Sequence, residues 1–128
     1  MSDNVDLFAD VAAALFAQLH AAFPVPVDIE VDMLVESALG STKPAGATQE
    51  AFVEATLLWL GNARLITFES GQLGARMVER VGLTARGFLA LQAMDEVDEG
   101  MTIGRRLAKP RSDDERRSLV DRAISRAS

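Results

Sequence analysis

The sequence predicts a mainly α, α+β fold, in which about three helices and a small β-hairpin or sheet form the core and C-terminal helices follow. Two observations support this prediction. Apolar residues recur at helical spacing in several segments, and between these segments lie short stretches in which apolar and polar residues alternate. With 128 residues, 48% of them hydrophobic and 25% charged, the chain is long and apolar enough to bury a core of its own.

The first helix is predicted over residues 5–23. Asp3 or Asn4 can cap its start, because a short polar side chain there accepts a hydrogen bond from an amide of the first turn. Pro24 ends the helix, because proline cannot continue it. The apolar side chains fall on one face at helical spacing: Leu7, Phe8, Val11, Leu15, Leu19 and Phe23.

A short strand and a second helix are predicted next. Residues 25–32 alternate between apolar and polar side chains, which is typical of a strand with one buried face. The second helix is predicted from Asp32 to Leu39. Gly40 ends it, because glycine readily adopts the backbone conformation found just after a helix.

The third helix is predicted to begin after Thr48, which is suited to the N-cap. Its inward-facing arc is predicted to contain apolar residues and one threonine: Phe52, Val53, Thr56, Leu57, Trp59, Leu60 and Ala63. Trp59 is therefore expected in the core. The outward positions are predicted to be Glu50, Glu54, Leu58 and Gly61. The two glutamates lie in the early turns, where the helix dipole favours acids.

A β-hairpin and a fourth helix are predicted after the third helix. Residues 65–68 and 77–81 have the composition of short strands, and the Gly-Gln-Leu-Gly segment at 71–74 supplies the turn between them. Thr84 is predicted to cap the fourth helix. The Leu-Thr-x-x-Gly phrase has a local reason, since the threonine caps the helix while Gly87 lets another element pack closely.

Two more helical segments are predicted near the C-terminus. The first covers residues 101–109 and is stopped by Pro110. The second begins after Ser112, which is predicted to be its N-cap. We accordingly divide the chain into a core domain, residues 1–94, and a C-terminal helical extension, residues 95–128.

The last helix carries a narrow apolar stripe with no obvious place in a small core. The stripe consists of Leu119, Val120, Ala123, Ile124 and Ala127. An uncovered stripe of this kind is suited to pairing with a second copy. We therefore predict a dimerisation element, and possible homodimer, through Leu119, Val120, Ala123 and Ile124.

Three stretches resemble the winged helix-turn-helix superfamily: FVEATLLWLGNARLITF, GQLGARMVERVGLT and LTARGFLAL. The predicted order of helix, strand, helix, helix, hairpin and helix also resembles that superfamily, over about residues 5–94. The resemblance implies a winged helix core in which the third helix occupies the reading position and the hairpin forms the wing. For most members of such a superfamily the implied function is DNA binding, as a regulator.

The charge distribution departs from that pattern. Residues 1–60 contain nine acids and one base, and the whole chain has a net charge of -6. The third helix has no Lys or Arg before Arg64, so the side chains that usually read guanine are missing from it. The sequence therefore favours a winged helix protein that acts as an interaction or regulatory subunit and binds a protein partner through Glu50, Glu54 and Leu58. Its basic C-terminal extension would help it to dimerise or to dock.

A DNA-binding transcriptional regulator is the alternative. Its phosphate contacts, or contacts with an acidic partner, would come from five arginines: Arg64, Arg76, Arg80, Arg105 and Arg106. The last two belong to a basic cluster that also contains Lys109, Arg111, Arg116 and Arg117. The sequence leaves a second role open for this cluster, which is pairing with the acidic N-terminal half.

Nothing in the sequence indicates an enzyme, a cofactor or a metal site. The chain has no Cys and no Tyr, and its one histidine, His20, has no evident catalytic partner, so a half-exposed helix histidine is expected. The acidic segment 95–100 lacks the spacing of a calcium loop, since Arg106 occupies the position where that loop has Glu. No membrane segment or secretory signal is expected, and the predicted location is the cytoplasm.

Overall fold

The computed structural model describes residues 3–69, 76–94 and 100–127, and the structural statements below concern these residues. They form a mainly helical fold with a small three-stranded antiparallel sheet, which confirms the α+β class. The elements in chain order are α1 (Asn4–Ala22), β1 (Val27–Glu30), α2 (Val31–Leu34), a π-helix (Val35–Leu39), α3 (Gln49–Asn62), β2 (Ile66–Thr67), β3 (Met77–Leu83), α4 (Ala85–Gln92), α5 (Ile103–Ala108) and α6 (Asp113–Ala127).

The predicted helix starts are confirmed by side-chain hydrogen bonds to free amides of the first turns. Asp3 accepts from the amide of Asp6 at 2.9 Å, and Thr48 accepts from that of Ala51 at 3.1 Å. Thr84 and Ser112 accept in the same way at the starts of α4 and α6. Each such cap stabilises its helix by about 1 kcal/mol.

The predicted second helix differs from the observed one in its second half. A short α-helix begins at Val31, and from Val35 to Leu39 the backbone winds as a π-helix. Gly40 ends it with φ of 57°, as predicted, and its amide donates to the carbonyl of Val35 at 2.9 Å. Single turns of π-helix are rare and often lie near functional sites.

The sheet has the strand order β1-β3-β2, with β3 in the centre. Ile29 pairs with Val78 and Ile66 pairs with Leu83, so the predicted strands exist. β1 and β2 are shorter than predicted, whereas β3 extends two residues further, to Leu83. The register of β1 shifts between Val27 and Ile29. The predicted turn at residues 71–74 lies outside the described residues.

Helix α1 is the centre of the core. It packs against α3 and against both C-terminal helices, α5 and α6, so residues on both sides of position 94 share one core. The largest side chains with almost no exposure come from five of the α-helices and two of the strands: Phe16, Leu15, Leu19, Ile29, Leu57, Leu60, Ile66, Leu91, Ile103 and Leu119. Burying each of them stabilises the fold by about 1.5–3 kcal/mol.

The length and hydropathy of α1 also meet the requirements of a membrane span, although no long uninterrupted apolar run is evident in the sequence. It has 19 residues and a mean hydropathy of 1.4, and among the described helices only α1 meets both requirements. Half of its most apolar window is buried inside this fold. Its apolar side chains thus have partners within the chain.

The prediction of an uncovered stripe on the last helix was wrong. Leu119 and Val120 are fully buried and Ala123 is 2% exposed, because α6 packs against α1, α4 and α5 of the same chain. Ile124 is half-buried at the edge of this contact. The premise for dimerisation through these residues is therefore removed. The sequence did not reveal that α1 and α4 together offer a surface for α6.

Candidate functional site

The outward side of α3 differs in composition from that of a helix that reads DNA. Its exposed residues are Glu50, Ala51, Ala55, Leu58, Trp59 and Asn62. Leu58 is 46% exposed and Trp59 is 48% exposed, which is high for large apolar side chains on one helix. We call this set the outer face of α3. It is mainly apolar, has one acid and contains no cation.

Trp59 was wrongly predicted to lie in the core. Its side chain is half-exposed and makes a T-shaped contact with Phe8 of α1, in which the ring centroids are 5.1 Å apart and the planes meet at 79°. The buried arc of α3 is narrower than predicted, since it consists of Val53, Thr56, Leu57 and Leu60. The elements that pack on α3 are α1, α2, the π-helix and β2, and together they bury this arc while Trp59 stays half-exposed at its edge.

The predicted outward residues are only partly confirmed. Glu50 and Leu58 are exposed, whereas Glu54 is half-buried. Gly61 does not face outward freely, because the Phe68 ring lies over it, and a Cβ atom there would be 2.9 Å from that ring. The missing side chain of Gly61 thus makes room for Phe68, which packs against the core.

A groove lies between the first turns of α1 and the outer face of α3. We call it the α1–α3 groove; its volume is about 380 Å³ and it is lined by Asn4, Val5, Phe8, Phe52, Ala55, Thr56 and Trp59. The one hydroxyl among these residues belongs to Thr56, and it donates to the carbonyl of Phe52 at 2.9 Å. The groove therefore offers a mainly apolar surface.

The wall of this groove is held by hydrogen bonds between distant segments. The Asn4 side chain donates to the carbonyl of Ala45 and accepts from its amide, both at 3.0 Å. At the start of α3, the Gln49 side chain donates to the carbonyls of Gly40 and Thr42 at 2.9 and 2.8 Å. The loop before α3 is thereby fixed both to α1 and to α3.

An acidic cavity lies beside the groove, on the other side of the start of α3. Its volume is about 440 Å³, and its lining includes Asp32, Glu50 and Glu54 together with Arg76. The structure thus brings the two predicted glutamates together and adds Asp32, which the sequence had not indicated as a site residue. Three acids against one base leave this cavity with a negative charge.

The arginines predicted to hold phosphates do not form one surface. Arg64 follows α3 and is exposed, and Arg76 borders the acidic cavity. Arg80 lies in β3 with φ of 53°, its amide bonds to the Asp28 carboxylate at 3.1 Å, and its side chain pairs with that of Glu69 at 3.6 Å. Two of these three arginines, Arg76 and Arg80, therefore lie next to acidic side chains.

The other two predicted arginines lie on α5, which packs against α1, α4 and α6 rather than beside α3. Arg105 is exposed. Arg106 is only 9% exposed, and its guanidinium donates to the carbonyl of Lys109 and to the sulfur of Met101. The prediction that Arg106 contacts phosphates was therefore wrong, because its side chain folds into the chain.

Arg116 and Arg117 of the basic cluster take the intramolecular role that the sequence left open. Both donate to the carboxylate of Asp10, which is 6% exposed, with the shortest distances 2.9 Å for Arg116 and 3.0 Å for Arg117. The hydrogen bond that Arg117 donates to Asp10 raises the pKa of Arg117 above its ordinary value. We call these three residues the Asp10 cluster, and it joins α6 to α1.

His20 is half-exposed, as predicted, and packs at the opposite end of α1 from the groove. Its ring is 2.8 Å from the Gln92 side-chain oxygen and stacks near Phe88, which in turn stacks on Phe23. No carboxylate or nucleophile accompanies it in these contacts. The described ranges contain no group of three or more residues able to hold a metal ion, and the acidic segment 95–99 lies outside them.

Comparisons with protein-family models, with curated proteins and with solved structures find no match to this chain. What the chain binds must therefore be inferred from its own surfaces. Sequence reasoning missed Val5, Phe8, Ala55 and Trp59 as members of one surface. A signal was present, since Ala51, Ala55 and Trp59 recur at intervals of one helical turn beside Leu58.

Proposed function

We propose that this chain is a non-enzymatic winged helix protein that acts as a protein-interaction or regulatory subunit and binds its partner through the outer face of α3. The observed order of α1, β1, α2, α3, β2, β3 and α4 supports the winged helix assignment, because it is the order on which the resemblance rests. The antiparallel pairing of β2 with β3 is the pairing that a wing requires.

The observation that carries the proposal is the chemistry of α3. A helix that reads bases in the major groove uses Arg, Lys, Asn or Gln for bidentate contacts. Here the exposed positions include Ala55, Leu58 and Trp59, with Glu50 beside them. Asn62, the last residue of α3, is the one exposed residue of the base-reading kind on this helix. Exposed apolar patches with an aromatic residue are typical of protein-binding surfaces, where Trp often contributes much of the binding free energy.

A DNA-binding regulator is the second candidate, and the exposed Arg64, Arg76 and Arg80 favour it. Arg64 follows α3, Arg76 directly precedes β3 and Arg80 lies in β3, where a wing would meet a phosphate backbone. Against it, Glu50 and Glu54 lie close to Arg76 and would repel phosphates. The protein-binding function therefore accounts for more of this surface.

Fluorescence anisotropy of a labelled mixed-sequence DNA duplex tests the two candidates against each other. At about 50 mM salt a DNA-binding protein should bind nonspecifically with a dissociation constant in the roughly micromolar range or better. We expect no binding of the duplex at protein concentrations in that roughly micromolar range. Binding that weakens steeply with salt and is lost in an Arg76→Glu/Arg80→Glu variant of unchanged thermal stability would overturn the proposal.

Partner capture provides the positive test. The immobilised protein is incubated with lysate of the native cell, and the wild type is compared with Trp59→Ala and with Leu89→Ala, a control on α4 whose side chain is 67% exposed. We expect proteins that the wild type and Leu89→Ala retain equally and that Trp59→Ala loses. A set of captured proteins that is the same for all three would contradict a role for α3.

A further inference from the structure

We infer that the occupant of the α1–α3 groove is a basic amphipathic helix of a partner protein. One large apolar side chain of that helix fills the groove, and its Lys or Arg residues lie along Asp32 and Glu50. This inference rests on the proposed function and adds the chemistry of the partner.

The shape of the groove favours a helix over an extended segment. Its walls come from two helices, α1 and α3, and its lining consists of side chains such as Val5, Phe8 and Trp59. An extended peptide is usually bound by the free backbone groups of a sheet edge, which these helices do not offer. Helical peptides instead insert apolar side chains from successive turns into a groove of this kind.

The groove is formed before any partner binds. Phe8 supports the Trp59 ring from one side, and the paired hydrogen bonds between Asn4 and Ala45 fix the first turn of α1 to the loop before α3. The side chains of Ala51 and Ala55 are small, so a second helix can approach the backbone of α3 closely. A preformed groove loses little conformational entropy on binding, which favours affinity.

Charge complementarity determines which kind of helix fits. Asp32 and Glu50 are exposed beside the outer face of α3, and Asp3 is exposed at the start of α1. Asp6 and Asp10, two of the nine acids among residues 1–60, are already paired with Arg117 of α6 and do not add to this charge. With Arg76 included, the acidic cavity still has a net negative charge. Such a field attracts a cationic helix and repels acidic segments, phosphate backbones and anionic lipid surfaces.

The test uses the fluorescence of Trp59, which is the only tryptophan in the chain. Two synthetic helical peptides share one apolar stripe, and their flanks carry Lys and Arg in one and Glu in the other. We expect the basic peptide to shift the Trp59 emission to shorter wavelength and the acidic peptide to bind at least about tenfold more weakly, because like charges oppose association. Equal affinities would overturn the inference.

Variants of the protein locate the interaction. Glu50→Lys should weaken binding of the basic peptide about tenfold and strengthen binding of the acidic one. Glu79→Lys makes the same charge change at an exposed position of β3 and serves as the matched control. Ala55→Glu should abolish binding of both peptides, because it places a charged side chain in the groove. An unchanged affinity in Ala55→Glu contradicts the proposed site.

Other occupants would give distinct results. An emission shift on raising the protein concentration alone would identify a second copy, and a shift with anionic phospholipid vesicles would identify a lipid surface; either overturns the inference. If the capture of lysate proteins requires Trp59 while the basic peptide does not bind, the proposed function stands and the inferred partner chemistry fails. If neither the capture of lysate proteins nor the binding of the basic peptide depends on Trp59, the proposed function and the inferred partner chemistry both fail.

Discussion

Asp10 of α1 and Arg117 of α6 form a hydrogen-bonded ion pair at 3.0 Å, although they are 107 positions apart in the chain. Arg116 donates to the other carboxylate oxygen of Asp10 at 2.9 Å, so both oxygens have charged donors. The carboxylate is buried while the two guanidinium groups are partly exposed. The pair thus fixes the last described helix to the first at one point.

The substitution Asp10→Ala should lower the free energy of unfolding by about 2 kcal/mol, because it removes charged hydrogen bonds and leaves two guanidinium groups without their shared acceptor. The loss stays below that of a fully buried pair, since Arg116 and Arg117 reach water. Urea unfolding followed by circular dichroism measures it. The control is Asp6→Ala, whose side chain is 40% exposed and 3.8 Å from Arg117. A loss in the control equal to that in Asp10→Ala would contradict this account.

The contribution of Arg117 to stability should not depend on pH in the neutral range. Its hydrogen bond with Asp10 raises its pKa, so the stability that it contributes is present below the unfolded pKa and is lost only as pH rises through the higher folded pKa. Both values are strongly alkaline, so between roughly pH 6 and 9 the contribution is constant. The measurement is the difference in unfolding free energy between wild type and Arg117→Gln across that range, and a sloping difference would contradict the prediction.

Gly87 should tolerate alanine far less well than Gly104. A Cβ atom at Gly87 would overlap the backbone carbonyl of Leu65, which cannot move without shifting β2, whereas a Cβ atom at Gly104 would be 2.6 Å from the ring of His20, a half-exposed side chain that can rotate. We expect Gly87→Ala to cost about 2 kcal/mol or more and Gly104→Ala about 1 kcal/mol. Thermal and urea unfolding of both variants measure these losses of stability. Equal losses in the two variants would refute the prediction.

Trp59→Ala should affect stability much less than truncation of its neighbour on the buried side. Trp59 is 48% exposed and Leu57 is 2% exposed. We expect a loss of about 1 kcal/mol for Trp59→Ala, chiefly from its contact with Phe8, and about 3 kcal/mol for Leu57→Ala, from the cavity left in the core. Urea unfolding distinguishes them. A larger loss for Trp59→Ala would place that ring in the core after all.

Local signals in the sequence were sufficient for most elements. The caps at Asp3, Thr48 and Thr84 and the end at Gly40 depend on chemistry within a few residues, and each is found where it was predicted. The strand alternation likewise depends on near neighbours. These features hold because short-range hydrogen bonds and backbone preferences determine them, with little influence from the remaining fold.

The errors concern contacts between distant segments. Trp59 and Leu57 are both large apolar residues in the sequence, and the packing of α1, α2 and β2 against α3 decides which of them is buried. The same reason applies to Leu119, since α6 packs against α1, α4 and α5. Arg106 was placed at the surface because it is charged, yet its guanidinium has acceptors within its own short helix region.

The joining of α6 to Asp10 also has a consequence during synthesis of the chain. Helix α1 is synthesised before α6, so the surface of α1 that α6 covers stays open until residues 113–127 have also left the ribosome. Until then its apolar side chains are accessible to chaperones and to other nascent chains. The burial of α1 is therefore completed only after α6 has been synthesised, and premature termination before Asp113 would leave that surface open.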